Sequence, residues 1–244
     1  MDVQFLGSGD AFGSGGRFHT CIYVRGTNGA FLIDCGASSM TALRKFGVDP
    51  NTVRTVLISH LHGDHFGGLP FFILDAQLVS RRTAPLTIVG PSGVRDRLMA
   101  AMEVLFPGSS QIERNFSIDY RELEARVGQK IEGIEVIPYE VKHACGGPAL
   151  ALRILFDGKT LCYSGDTEWM ESLREAARGA DLFIVESYFF DKPVKFHLDY
   201  RTLARCLPGV GARRVVLTHM GPEMLARSAE SRHELAQDGM TISL

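Results

Sequence analysis

His60, His62, Asp64 and His65 lie in the run Ser59-His60-Leu61-His62-Gly63-Asp64-His65, directly after the apolar stretch Thr55-Val56-Leu57-Ile58. Imidazole nitrogens and carboxylate oxygens are what zinc and similar divalent ions bind, and a loop leaving a strand can aim alternate side chains at two neighbouring ions. A chance polar turn would be built from Gly, Asn, Asp, Ser and Pro rather than from three histidines at these offsets. The loop cannot complete a metal site alone. Three further residues follow apolar, strand-like runs: His143 after residues 134–142, Asp166 after 161–165, and His219 after 215–218. Loops at strand ends of a sandwiched sheet are where binding residues gather, so these three are candidate partners of the first loop. Taken singly, each is as readily a cap or a satisfied turn residue.

The elements that must position these residues alternate short β-branched runs with helical patterns, the mark of an α/β protein. Strands are expected at 3–6, 21–25, 30–34, 55–58 and 86–89, with helices at 38–46, 71–80 and 94–106. The second half repeats that organisation, with strands at 135–139, 150–156, 160–163, 182–186, 214–217 and 241–243 and helices at 168–178, 200–207 and 222–227. Trp169, Leu173 and Ala176 fall at helical spacing, which assigns the single tryptophan to core packing.

At 244 residues and 45% hydrophobic, the chain can bury a large core and reads as one domain, 1–244. A net charge of -2 supplies no overall basic field for nucleic acid. The short pairs Arg81-Arg82 and Arg213-Arg214 could touch a phosphate backbone, although such pairs are usually solvated surface. The start, Met1-Asp2-Val3-Gln4-Phe5, lacks a basic segment followed by an apolar one, and no apolar run approaches the ~18 residues of a membrane span. A soluble, cytoplasmic protein without a membrane partner is expected. Five cysteines without CxxC spacing argue against a disulfide framework and a structural zinc knuckle.

Together these residues resemble the metallo-β-lactamase fold superfamily, whose HxHxDH signature is matched by His60-Leu61-His62-Gly63-Asp64-His65. The likeness extends to Phe5-Leu6-Gly7-Ser8-Gly9, Phe31-Leu32-Ile33-Asp34-Cys35-Gly36, His143, Tyr163-Ser164-Gly165-Asp166-Thr167 and Leu217-Thr218-His219. It implies an αββα sandwich of two mixed β-sheets flanked by helices. It also implies two divalent ions, zinc by analogy, with manganese or iron accepted by the same donors. One ion would be held by His60, His62 and His143, the other by Asp64, His65 and His219, with Asp166 bridging; Asp34 and Glu186 would support the ligands from behind. Two ions about 3.5–4 Å apart turn a shared water into a hydroxide nucleophile near neutral pH, so hydrolysis is expected. The flavo-diiron oxidoreductases of this fold resemble HxExDH instead, and His62 stands where their glutamate would be.

Phe196-His197-Leu198-Asp199 resembles the ribonuclease Z and phosphodiesterase branch, in which a histidine here reaches the scissile phosphate. His197 would stabilise or protonate the leaving oxygen, with Asp64 orienting it or taking up a proton in addition to binding metal. The alternative is a histidine packed near the start of the helix at 200–207, with Asp199 as N-cap. The glycine-rich stretch 7–16 is neither a Walker loop nor a dinucleotide fingerprint; it is read as a phosphate cradle or a turn at the pocket rim, with Arg17 and His19 as candidate substrate contacts. Only 22 residues separate His143 from Asp166, filled by a hairpin about Asp157-Gly158, where the tRNA-processing relatives typically carry a long arm. A phosphodiesterase for a small phosphodiester or nucleotide is therefore expected, RNA being less favoured. Alternatives are a ribonuclease Z-like tRNA 3'-processing endonuclease, a lactonase or thioesterase-type hydrolase, and a non-catalytic metal-binding protein. The relatives commonly dimerise, which makes a homodimer a candidate assembly.

Overall fold

A computed structural model describes residues 1–244. The chain first lays down β1 (Asp2–Gly7), β2 (Cys21–Gly26), β3 (Gly29–Ile33), β4 (Val53–Leu57), β5 (Leu86–Gly90) and β6 (Ile118–Glu122), with α1 (Ser39–Lys45), α2 (Gly63–Phe66), α3 (Leu69–Leu78) and α4 (Val94–Leu105) between them. A second set follows: β7 (Gln129–Ile131), β8 (Ile134–Val141), β9 (Ala149–Phe156), β10 (Lys159–Tyr163), β11 (Leu182–Glu186), β12 (Val215–Thr218) and β13 (Glu234–Leu235), with α5 (Glu171–Ala177), α6 (Tyr200–Cys206) and α7 (Pro222–Ala226). The last strand, β14 (Thr241–Ser243), returns to the first sheet and pairs antiparallel with β1. The two seven-stranded sheets have the orders β14-β1-β2-β3-β4-β5-β6 and β13-β12-β11-β10-β9-β8-β7. Each is antiparallel at one end and parallel at the other, the change falling at β3 in the first sheet and at β10 in the second. The expected likeness of the halves is present, broken by the exchange of β14.

Strand periodicity explains the layering. On β3, Phe31 and Ile33 point into the core between the sheets while Leu32 points outward to the helices; on β11, Leu182 and Ile184 point inward while Phe183 and Val185 meet the helices. Both faces are covered, so these strands read as continuous apolar runs. The order of layers is helix, sheet, sheet, helix, as the resemblance implied. Three strands went unread in the sequence. β6 alternates with Asp119 and Arg121 on a sheet edge, and β7 and β13 are only three and two residues long, too short for a periodic signal. The helix expected at 168–178 begins at Glu171, because Met170 is extended (φ -136°, ψ 149°); Trp169 nevertheless packs against the core beneath α5. The hairpin about Asp157-Gly158 forms with φ of 50° and 72° at its two turn residues, the left-handed pair that a two-residue hairpin requires. All five cysteines are free. No helix is long and apolar enough to cross a membrane.

Arg82 corrects the reading of the basic pairs: it is neither a phosphate contact nor solvated surface. Its side chain is 2% exposed and donates to four backbone carbonyls, Ala84 at 2.9 Å, Pro50 at 3.3 Å, Val53 at 2.7 Å and Pro85 at 2.8 Å. It fastens the entry of β4 to the entry of β5, the strand beside it. Replacing it by Met removes all four bonds, with only the Pro50 carbonyl shown to keep another donor, the Val53 amide, and an expected loss of about 3 kcal/mol follows from the cost of buried unsatisfied groups. A urea midpoint within error of wild type would refute that role.

Candidate active site

The site is built where strand ends of the two sheets face each other. After β3 the chain turns through Asp34 in the left-handed region (φ 56°), and the buried carboxylate collects four donors. Oδ1 accepts the Ser59 amide at 2.8 Å; Oδ2 accepts Ser59 Oγ at 2.8 Å, His65 Nδ1 at 2.7 Å and Tyr163 Oη at 2.9 Å. Asp34 thus ties β3, the exit of β4 and β10 together behind the metal-type residues. Gly36 lets this turn approach closely: a Cβ there would stand 2.2 Å from the Asp64 carbonyl oxygen. The single turn α2, which the sequence reading did not resolve, carries Asp64 and His65, and the His62 carbonyl accepts the amides of His65 and Phe66 at 3.0 Å each.

All seven expected metal-type residues converge. His60, His62 and His143 form one group, and Asp64, His65, Asp166 and His219 form the other, the candidate donor atoms of each lying within 4.8 Å of one another. Asp166 Oδ2 stands between them, 3.9 Å from His60 Nε2 and His143 Nε2 and 3.4 Å from His65 Nε2 and His219 Nε2. Asp64 Oδ2 is 3.1 Å from His219 Nε2 and 3.3 Å from His65 Nε2. Outer hydrogen bonds set the tautomers. His65 donates from Nδ1 to Asp34, His143 donates from Nδ1 to the Phe196 carbonyl at 2.8 Å, and His60 Nδ1 lies 3.1 Å from the Ser59 hydroxyl, which itself donates to Asp34. The Nε2 lone pairs of these three rings are left for the centre.

The donors fit divalent metal. His60 Nε2 and Asp166 Oδ1 are buried and have no hydrogen-bond partner in the protein, so their lone pairs are free for an ion or an ordered water. His143 Nε2 and His62 Nδ1 face each other at 3.0 Å. Burial pushes the His60, His62 and His143 rings below the ordinary imidazole range, which keeps them neutral donors. In the other group burial opposes charge, but Asp166 and Asp64 overcome it, raising His65 well above its ordinary value and His219 to about 9. Against the same burial, His65 and His219 hold Asp64 and Asp166 well below the usual carboxylate range. That group is therefore organised around positive charge, of the kind a divalent ion supplies.

Beside the centre opens a cavity of about 440 Å³, lined by both groups and by Phe12, Tyr188, Phe189, Val194 and His197. His197 is 24% exposed; its Nδ1 lies 3.1 Å from Glu186 Oε2 and 4.0 Å from Asp166 Oδ2. Glu186, not Asp64, is its hydrogen-bond partner, and the other Glu186 oxygen accepts the Thr167 amide. Asp199 caps α6 by accepting the Thr202 amide at 2.9 Å, so the cap and the exposed His197 coexist. Arg17 and His19 do not line the cavity. Arg17 donates to the Ala236 carbonyl at 2.6 Å and to Ser8 Oγ at 3.2 Å, and the His19 amide donates to Ser38 Oγ at 2.8 Å. The aromatic wall went unread, because single aromatics in loops carry no periodic signal. Phe12 is 82% exposed on the glycine-rich loop, whose base is held by the buried Asp10 carboxylate accepting the Phe12 and Ser14 amides.

Residues 1–242 match the model of the family described as Anti-Pycsar protein Apyc1. The chain belongs to this family. Among other relatives of this Apyc1-family chain is the ribonuclease Z of Methanothermobacter thermautotrophicus, 28% identical over 301 aligned positions that cover 100% of the chain and 97% of the relative. Because 301 positions are aligned against 244 residues, dozens of positions in that relative have no counterpart here. Among solved structures, human tRNase Z short form (ELAC1) superposes with a TM-score of 0.81 at 27% identity, covering 100% of this chain and 99% of that one. Zn(2+)-bound PqqB from Methylobacterium extorquens superposes with a TM-score of 0.78 at 15% identity, covering 100% of both chains. The Apyc1-family chain has the metallo-β-lactamase fold of a hydrolase with a His/Asp metal-type site.

Proposed function

We propose that the chain is a metal-dependent phosphodiesterase that opens cyclic nucleotides. The observation that carries this reading is His197: an imidazole fixed through Nδ1 by Glu186, partly exposed in the cavity beside both donor groups. An alkoxide leaving phosphorus gains from such a proton donor, a second group that acyl hydrolysis at a metal centre does not require. Membership of the Apyc1 family supports a cyclic nucleotide as the diester. The cavity, about 440 Å³, lies within the ~300–1,000 Å³ range of small-molecule sites. The short His143-to-Asp166 span argues against the arm of the tRNA-processing relatives.

Two divalent ions, zinc by type, held by His60, His62 and His143 and by Asp64, His65 and His219 across Asp166, would neutralise phosphate charge and lower the pKa of a water between them. The chain's own part is positioning and proton transfer. Glu186 accepts Nδ1–H and leaves His197 Nε2 as the proton carrier toward the cavity. As the phosphorus–ribose oxygen bond breaks, its electron pair stays on the ribose oxygen, which takes the Nε2 proton; the hydroxyl of water ends on phosphorus, and the water's other proton passes to solvent, from which His197 regains its own. The product is a nucleotide monoester.

The test is a panel with added zinc or manganese: a cyclic nucleotide, a lactone, a thioester and a precursor tRNA. Conversion of the cyclic nucleotide to its monoester is the expected result. Lactone cleavage without diester cleavage, or 3'-end cutting of the tRNA with the cyclic nucleotide left intact, would sink the proposal.

Phe12, Tyr188 and Phe189 give the cavity aromatic faces on which a base can stack. Base–aromatic stacking is worth about 1–3 kcal/mol, so Phe12→Ala is expected to raise KM for a cyclic nucleotide about tenfold with little change in kcat. A ribose cyclic phosphate without a base should be cleaved equally by both proteins; equal losses on the two substrates would remove Phe12 from base binding.

A further inference from the structure

Glu168 stands two residues past Asp166, and its side chain bonds to none of the metal-type residues. Its Oε1 accepts the Phe196 amide at 2.9 Å, its Oε2 pairs with Lys142 Nζ at 3.1 Å, and its own amide donates to the Lys142 carbonyl at 3.2 Å. One carboxylate therefore joins three segments, each at a residue next to or near His143, Asp166 or His197. Phe196 is the junction that matters. Its φ is 73°, in the left-handed region, where a bulky L residue is held at a cost of about 1–3 kcal/mol only if its surroundings enforce it. The carbonyl of this same residue accepts His143 Nδ1–H at 2.8 Å, and the next residue is His197.

We infer that Glu168 is a positioning residue that pins Phe196 in its left-handed conformation and thereby sets His143 and His197 together. With the Phe196 amide held, its carbonyl points at His143 Nδ1 and keeps that ring in the tautomer that bares Nε2. Released, residue 196 relaxes toward negative φ. The carbonyl then swings away from His143, and the following Cα carries His197 off Glu186. Lys142 contributes from the other side, since its pairing with Glu168 keeps the carboxylate oriented toward Phe196. The inference rests on the metal-dependent reading for the role of His143, but not on the identity of the substrate.

The experiment measures zinc affinity by chelator competition and turnover of a cyclic nucleotide in paired backgrounds. In the wild-type background, Glu168→Ala is expected to weaken both by about tenfold, as loss of an outer partner of a metal ligand does. KM should stay near wild type, and the thermal midpoint should move little because Glu168 lies at the surface. Glu168→Gln keeps an oxygen for the Phe196 amide and should stay close to wild type. Glycine takes positive φ without help, so in a Phe196→Gly background Glu168→Ala should change either quantity by less than about twofold. Equal losses in the two backgrounds, or wild-type zinc affinity in Glu168→Ala, would overturn the inference. If the wild-type protein opens no cyclic nucleotide, the functional proposal fails, while the zinc affinities still decide the role of Glu168.

Discussion

Alanine in place of His197 is expected to lower turnover of a cyclic nucleotide by about 10²–10⁴-fold, the usual contribution of a positioned general acid, while metal uptake is unchanged. Both halves of that result are informative. His197 also lies close enough to His143 and Asp166, and to Glu186 and His219, to act as a ligand, so metal content separates the two roles. A further contrast comes from the leaving group. A ribose alkoxide needs a proton as it departs, whereas p-nitrophenolate does not, so the loss should shrink strongly with bis(p-nitrophenyl) phosphate. Metal lost together with His197, or an equal loss on both diesters, would show that the residue does not act as the proton donor.

The second large effect is expected at Asp34, which bears no contact with the cavity. Alanine there strands the Ser59 amide and hydroxyl, the His65 ring and the Tyr163 hydroxyl, all buried. Breaking such a buried charged network costs about 3–5 kcal/mol, and His65, no longer oriented, should bind zinc about 10–100-fold more weakly. The left-handed φ of 56° adds strain for alanine, whereas asparagine tolerates it. Asp34→Asn should therefore fold better than Asp34→Ala yet still weaken zinc binding, because an amide cannot accept all four donors. Tyr163→Phe removes one bond and should cost about 1 kcal/mol. Denaturant unfolding together with chelator competition on the three variants checks the order; zinc affinity intact in Asp34→Asn would show that the carboxylate supports the fold alone.

Much of the fold was legible because strands covered on both faces spell continuous apolar runs bounded by turn residues. The edge strand β6 escaped, since alternating Asp119 and Arg121 look like loop when no partner strand is known, and the start of α5 moved because Met170 is extended. Arg82 shows the limit most clearly. Its sequence neighbourhood says surface, and only the meeting of the entries of β4 and β5 makes it an internal donor to four carbonyls.

At the site, donor chemistry and placement after apolar runs made the seven metal-type residues candidates, and resemblance to the ribonuclease Z and phosphodiesterase branch singled out His197. Tertiary structure decided what each one touches. It gave His197 to Glu186 rather than Asp64, placed Arg17 against the Ala236 carbonyl instead of the cavity, and made an aromatic wall from Phe12, Tyr188 and Phe189. Donor type is a local property of each side chain and can be read along the chain. Partnership is a matter of a few ångströms between residues far apart in sequence, and only the packing of the two sheets sets those distances.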